Sequence, residues 1–472
     1  MSRLDFEPFD DDKYDFSGEN SSFSDMDPAE LLEAARQGSL STDTLEELVS
    51  YHYDEGNYEQ ALKFLDVLVE YAPYSSEVWE RRGMILNNTG NYTDALKSFE
   101  KAEVLNPNDT ELLVNKGITL DNLGRSDEAV RLFKTAMAYE PGNLDALFSM
   151  GIAYERLGDF AMGIECFSQI VEAEPSHKEA WYDLGYCHDF ENNLPESILC
   201  YEQHIDLNPY SANAWYNLGV IQNRQGAFRK AIGSYEFAVA ISPDFSSAWY
   251  NMGNSYANLQ YFADARDCYL KALETEPRDV LVWQNLANSY EELDDFPLAI
   301  KAYNEILRIE PDHHEALFGR GSAYDAMDEF EKALDDYKEA LRIVDDMGEV
   351  WHAKADAEYN LGLIPDALKS YEQVLALDPR NEDAWLDYSD TLFESGKFQS
   401  ALTALDSILH IAPQKTEVHL LKAKVHFAMS DYDNGVKHLQ AYLTANPGRE
   451  ADILSDIPLL RSFPELKNYL HI

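Results

Sequence analysis

From residue 42 onward, apolar residues recur at spacings of three and four, the mark of amphipathic helices, and the pattern resets at a fixed interval. Pro73, Pro107, Pro141, Pro175, Pro209, Pro243, Pro277 and Pro311 stand 34 residues apart. Asp345 takes the next slot, and Pro379, Pro413 and Pro447 resume the series. With the proline slot numbered 32, twelve repeats begin at residues 42, 76, 110 and onward to 416. All seven tryptophans (Trp79, Trp181, Trp215, Trp249, Trp283, Trp351 and Trp385) then fall at position 4. Position 8 is Gly or Ala in most repeats, position 20 is Ala in nine of twelve, and position 24 is mostly Phe or Tyr. Repeat 7 shows the set as Trp249, Met252, Gly253 and Tyr256, then Ala265, Tyr269 and Pro277.

This pattern predicts two antiparallel helices per repeat, helix A over positions 2–14 and helix B over 18–31. Small residues at 8 and 20 let the pair approach closely, and the large residues at 4, 11 and 24 fill the flanks as core. Gly56, Gly90, Gly124, Gly158, Gly226, Gly362 and Gly396 all occupy position 15, where a left-handed cap ends a helix. Pro195, Pro297 and Pro365 share position 18, a helix first turn in which a missing N–H costs nothing.

Over residues 42–449 the chain resembles the tetratricopeptide repeat (TPR) family, whose 34-residue helix–turn–helix signature is the one just described. The resemblance implies an all-α fold, a right-handed superhelical solenoid in which helix A of each repeat lines a concave groove. Stability then comes from stacking on neighbours. Residues 1–27 are acidic, without helical period, and are expected to be disordered; residues 28–41 form a capping helix with Asp27 as N-cap; residues 450–472 give a second capping helix and tail. Repeats 1 and 12 drift from the pattern; Asp345 reads as a tolerated substitution, with a soft joint between repeats 9 and 10 as the alternative.

Charge narrows the partners. The formal net charge is −49, from 86 acids against 37 Lys and Arg, which excludes a nucleic-acid footprint and favours cationic partners or high solubility. No basic start followed by an apolar run marks a signal peptide, and no stretch has the roughly 18 apolar residues of a membrane span. Cys166, Cys187, Cys200 and Cys268 show no CxxC pairing and read as reduced thiols, so a cytoplasmic location is expected.

Catalytic motifs are missing. Gly319-Arg320-Gly321 lies inside a predicted helix A, with Gly321 at position 8, and no Walker A, HExxH or GxSxG run occurs. His313 and His314 in an inter-repeat turn are a weak metal candidate, outweighed by a plain turn. A non-enzyme without cofactor or metal is expected.

The resemblance further implies that positions 2, 5, 6, 9, 12 and 13 of helix A face the groove. These hold Asn115, Tyr182, Asp183, Tyr186, Tyr216, Asn217, Tyr250, Asn251, Asn254, Gln284, Asn285 and Asn288, the candidate peptide-binding residues. Asn at position 6 is a mediocre helix former and is not expected to serve helix pairing. A carboxamide can instead pair with a peptide's N–H and C=O together, and tyrosines add flat apolar area. The ladder resembles that in the TPR domain of the O-linked N-acetylglucosamine transferases, whose catalytic domain has no counterpart here. The carboxylate clamp for chaperone tails needs groove Lys and Arg, and at positions 2, 5 and 6 Arg81 is alone. Groove acids such as Glu80, Glu155 and Asp356 point to an extended basic segment as the partner. Alternatives are a self-associating structural protein, joined through the near-neutral residues 416–472, or a regulatory subunit of an enzyme.

Overall fold

The computed structural model describes residues 27–446, and among them every regular element is an α-helix. The expected acidic tail, up to residue 26, and the expected C-terminal capping helix lie outside the described residues. A first helix, Pro28–Arg36, starts at an Asp27 cap whose side chain accepts the Ala29 N–H. Twelve helical hairpins follow. In repeat 7 helix A is Ser246–Asn258 and helix B Phe262–Thr275, positions 1–13 and 17–30, and the other repeats keep these bounds to within a residue. Helices A start one residue before the predicted bound because position 34 supplies a cap. The side chains of Ser41, Ser75, Asp109 and Asn143 each accept an N–H from the helix that follows. His313 plays that part for helix A of repeat 9, its Nδ1 accepting the Ala316 N–H at 3.1 Å. A capping role therefore accounts for His313 in that turn.

Position 15 is left-handed throughout. The seven glycines there have φ between 71° and 78°, and Asn192, Gln260, Asp294, Asp328 and Ser430 hold φ between 56° and 62° in the remaining repeats. In repeat 1 the Asn57 N–H reaches back to the His52 carbonyl and the Gly56 N–H to Tyr53, the paired bonds of a Schellman end.

In repeats 2–7 and 9, helices A and B meet where a ring lies over a glycine. A Cβ on Gly219 would come within 2.6 Å of the Tyr235 ring, and one on Gly253 within 2.6 Å of Tyr269. Position 24 is thus the centre of those hairpins, with Phe99, Phe133, Phe167, Tyr235 and Tyr269 all buried. The tryptophans depart from expectation. They are only half-buried, and the indole N–H supplies the reason. Trp79, Trp181, Trp215, Trp283 and Trp385 donate it to the carbonyl of the position-32 proline six residues earlier, at 2.9–3.1 Å. Trp351 makes the same bond to Asp345 at 2.8 Å, so losing the proline leaves the turn intact.

Scarce cations are spent inside the stack. Position 7 carries Arg82, Lys116, Arg320 and Lys422, which reach back to Asp66, Glu103, Asn304 and Asp406 on helix B of the preceding repeat. Arg320 also forks onto Asp336 of its own repeat at 2.6 and 2.8 Å. The hairpins group into two compact halves, one ending at Pro243 and the other beginning at Asp244. In each half successive helices A approach one another, as Ser76–Asn88 does Thr110–Asn122 and Ser246–Asn258 does Val280–Glu292. The candidate residues lie on that side.

Candidate functional site

The expected binding residues occupy helices A. Asn115 is buried, Asn288 is exposed, and the other ten are half-buried. Several are brought together at inter-repeat nodes built from positions 5, 9 and 24 of one repeat and position 6 of the next.

In the first half, Asn217 Nδ2 donates to the Tyr182 hydroxyl at 3.0 Å and to the Tyr201 hydroxyl at 3.3 Å. Asn115 Nδ2 donates to Glu80 at 3.1 Å rather than to another candidate residue. In the second half, Asn285 Nδ2 donates to the Tyr250 hydroxyl at 3.0 Å and lies 3.5 Å from Asn254 Oδ1. That same Oδ1 accepts the Tyr269 hydroxyl at 2.8 Å. One node further, Asn288 Oδ1 accepts from Gln284 at 3.0 Å and from Tyr303 at 3.3 Å. There Gly319 holds position 6, and a Cβ on it would meet the Tyr303 hydroxyl at 2.4 Å.

These bonds correct one expectation. Position-6 asparagines do serve repeat pairing, because the amide nitrogens of Asn115, Asn217 and Asn285 tie their helices A to the preceding ones. What Asn217 and Asn285 retain is the amide oxygen, which makes no hydrogen bond to the described protein. Each node therefore presents an acceptor where the sequence suggested a donor and an acceptor together.

Acids gather on the same side. In the first half burial, offset in part by Cys187 and Arg156, raises the Glu155 carboxyl, and burial together with Glu155 and Glu179 raises Asp183. The Cys187 thiol lies 3.3 Å from Glu155 as donor. Burial also lifts Glu80 to about 7, against the opposing bond from Asn115. In the second half burial raises Glu291, Asp325 and Asp390, with acidic neighbours adding to each. Desolvation that is only partly compensated marks sites suited to a cationic ligand.

Two features escaped the sequence reading: the rings around Tyr186 and the hydroxyls at position 24. Tyr186 sits in an aromatic trio, with Phe160 stacked on Phe190 at 4.4 Å and Tyr186 at 4.7 Å from Phe190, whose side is exposed. Phe190 occupies a groove-facing position but lacks a repeating partner, so periodicity alone gave no signal. The position-24 hydroxyls were legible: Phe stands there in repeats 2–4 and Tyr in repeats 5–10, and position 9 turns polar in several of the later repeats.

Family models described as tetratricopeptide repeat match residues 47–110, 123–184, 189–244, 246–279, 279–346 and 361–425. A comparison with curated proteins returns no match. Among solved structures, MamA is 29% identical over 34% of this chain and 95% of its own, with a TM-score of 0.34. YrrB, described as a TPR protein with an unusual peptide-binding site, is 19% identical over 40% of this chain and 98% of its own, at 0.38. The C-terminal part of a TPR protein from Cytophaga hutchinsonii is 18% identical over 51% of this chain and 98% of its own, at 0.46. With repeat models matched along most of its length, the chain belongs to the tetratricopeptide repeat family.

Proposed function

We propose that this protein is a non-catalytic scaffold that binds an extended, basic peptide segment on the inner side of its helices A. The observation that carries this reading is the set of half-buried carboxylates there, whose charge is opposed by burial and by each other. A lysine or arginine laid beside Glu155 and Asp183 relieves that repulsion. The spare amide oxygen of Asn217 accepts an N–H donor from the peptide, and the Phe160–Tyr186–Phe190 trio offers a face for an alkyl stem or a guanidinium. Among the described residues no helix is long and apolar enough to cross a membrane.

The test is fluorescence anisotropy with a labelled peptide of alternating Lys and Thr, against its Glu–Thr counterpart. The Lys peptide should bind, with affinity falling as salt rises. Glu155→Gln with Asp183→Asn should weaken it by about tenfold, roughly 1.4 kcal/mol. These substitutions leave the Asn217 and Asn285 nodes in place, whereas Asn→Ala changes would also unpick repeat pairing. Equal binding of both peptides, or no change in the double variant, refutes the reading.

A further inference from the structure

The node between repeats 10 and 11 departs chemically from the others. Where repeats 7 and 8 place Tyr250, Asn254 and Asn285, repeats 10 and 11 place His352, Asp356 and Asp387 at the same positions 5, 9 and 6. His352 and Asp356 are one helical turn apart on Gly348–Asn360, and Asp387 comes across the junction from Glu382–Glu394. His352 Nε2 is 2.9 Å from Asp387 Oδ2 and 4.0 Å from Asp356 Oδ1. The three donor atoms all lie within 4.8 Å of one another.

We propose that this node binds a divalent transition cation of the zinc class, one imidazole and two carboxylates from two successive repeats supplying the ligands. The distances suit it. Zinc holds nitrogen and oxygen at about 2.0–2.2 Å, which sets tetrahedral ligands roughly 3.3 Å apart. The His352–Asp387 pair is already closer than that, and Asp356 needs to move in by no more than about 1.5 Å. Its side chain and that of Asp387 are about half exposed, at 45% and 47%, which gives room for the motion and leaves the remaining coordination positions to water.

Outer groups hold the ligands in place. The Tyr371 hydroxyl donates to Asp356 Oδ1 at 2.6 Å, and the Tyr371 ring meets the imidazole edge-on at 5.8 Å. Tyr371 is thus a positioning residue for two ligands at once. An imidazole ligand favours zinc, cobalt or nickel over magnesium and calcium, which prefer all-oxygen shells. Two carboxylates balance the charge of the ion while His352 is neutral. The ion then pins repeat 10 to repeat 11, in the place that the Asn285–Tyr250 hydrogen bond takes between repeats 7 and 8. The proposal is independent of the peptide reading.

The experiment is isothermal titration of the full-length protein with Zn(II) in excess Mg(II), which masks the acidic surface, with Co(II) visible absorption as a second readout. One equivalent should bind in the wild type. His352→Gln and Asp387→Asn should each weaken binding by more than about tenfold and abolish the Co(II) band, and Tyr371→Phe should weaken it by roughly tenfold. Asp387 is half exposed, so Asp387→Asn keeps the test valid if His352→Gln misfolds. Absence of saturable binding to the wild type overturns the proposal. So does one-equivalent binding that persists in both ligand variants, since the ion then sits elsewhere on the acidic surface.

Discussion

Arg320 offers the sharpest test of how the stack is held. Its guanidinium forks onto both oxygens of Asp336 at 2.6 and 2.8 Å and reaches Asn304 of the preceding repeat at 2.6 Å. Asp336 is only 7% exposed. Replacing Arg320 by Ala leaves that carboxylate buried without its partner. Breaking a buried pair from one side costs about 3–5 kcal/mol, and because Arg320 keeps some solvent contact the lower end, about 3 kcal/mol, applies. Unfolding of a repeat array is not all-or-none, so the readout should be local. Hydrogen exchange at the amides of helix B of repeat 9, Phe330–Ile343, should accelerate roughly 100-fold in the full-length chain. Arg320→Met with Asp336→Leu removes both charges and should restore most of the protection. Acceleration below about tenfold in the single variant, or equal acceleration in single and double variants, refutes a paired-charge origin.

Other outcomes follow from single contacts. Gln260→Gly should raise stability by up to about 1 kcal/mol, and Gly226→Gln should lower it, because position 15 is left-handed in both repeats; thermal melts give the sign. Tyr269→Phe deletes the 2.8 Å bond to Asn254 and should cost about 1 kcal/mol, measured by denaturant midpoint. Burial raises Glu80 from 4.5 to about 7, so the folded state holds the extra proton and stability should fall as pH rises across that window. Melting series in Glu80→Gln should lack that decline. His438, lowered by burial and by Lys422, His419 and His426 to about 4, has the opposite sign. The unfolded chain binds the extra proton between about 6.5 and 4, so helix B of repeat 12, Tyr432–Ala445, should lose exchange protection as pH falls, and His438→Gln should blunt the loss.

Much of the fold could be read from the chain because its determinants are local and repeat. The position-15 glycines predicted left-handed ends, and the same conformation extends to Asn192 and Gln260, where sequence gave no glycine to flag it. Position 8 predicted close packing, and the ring of position 24 is what fills the space. The tryptophans misled, since their spacing reports burial but not the indole bond to position 32. The nodes were hardest to see. Asn217 meets Tyr182 across 35 residues, one more than the period, a pairing that appears only once neighbouring repeats are set in register. Position 6 was flagged for its poor helix propensity, correctly as an unusual position, but hydrogen bonding between repeats accounts for part of it.

The unbroken 34-residue spacing makes the chain look like text that recombination can lengthen or shorten freely, but the nodes impose a grammar on it. Removing one period keeps every helix in phase yet changes who faces whom. Excising residues 382–415 would set Leu421 in the slot of Asp387, against His352 and Asp356. Excising 110–143 would bring Ser149 rather than Asn115 to Glu80. Either cut preserves the hairpin and loses the junction. Each repeat is written for its successor, so duplications in such a lineage should persist more readily as adjacent pairs than as single copies. A consensus built by averaging the twelve repeats would erase the information that distinguishes one junction from the next.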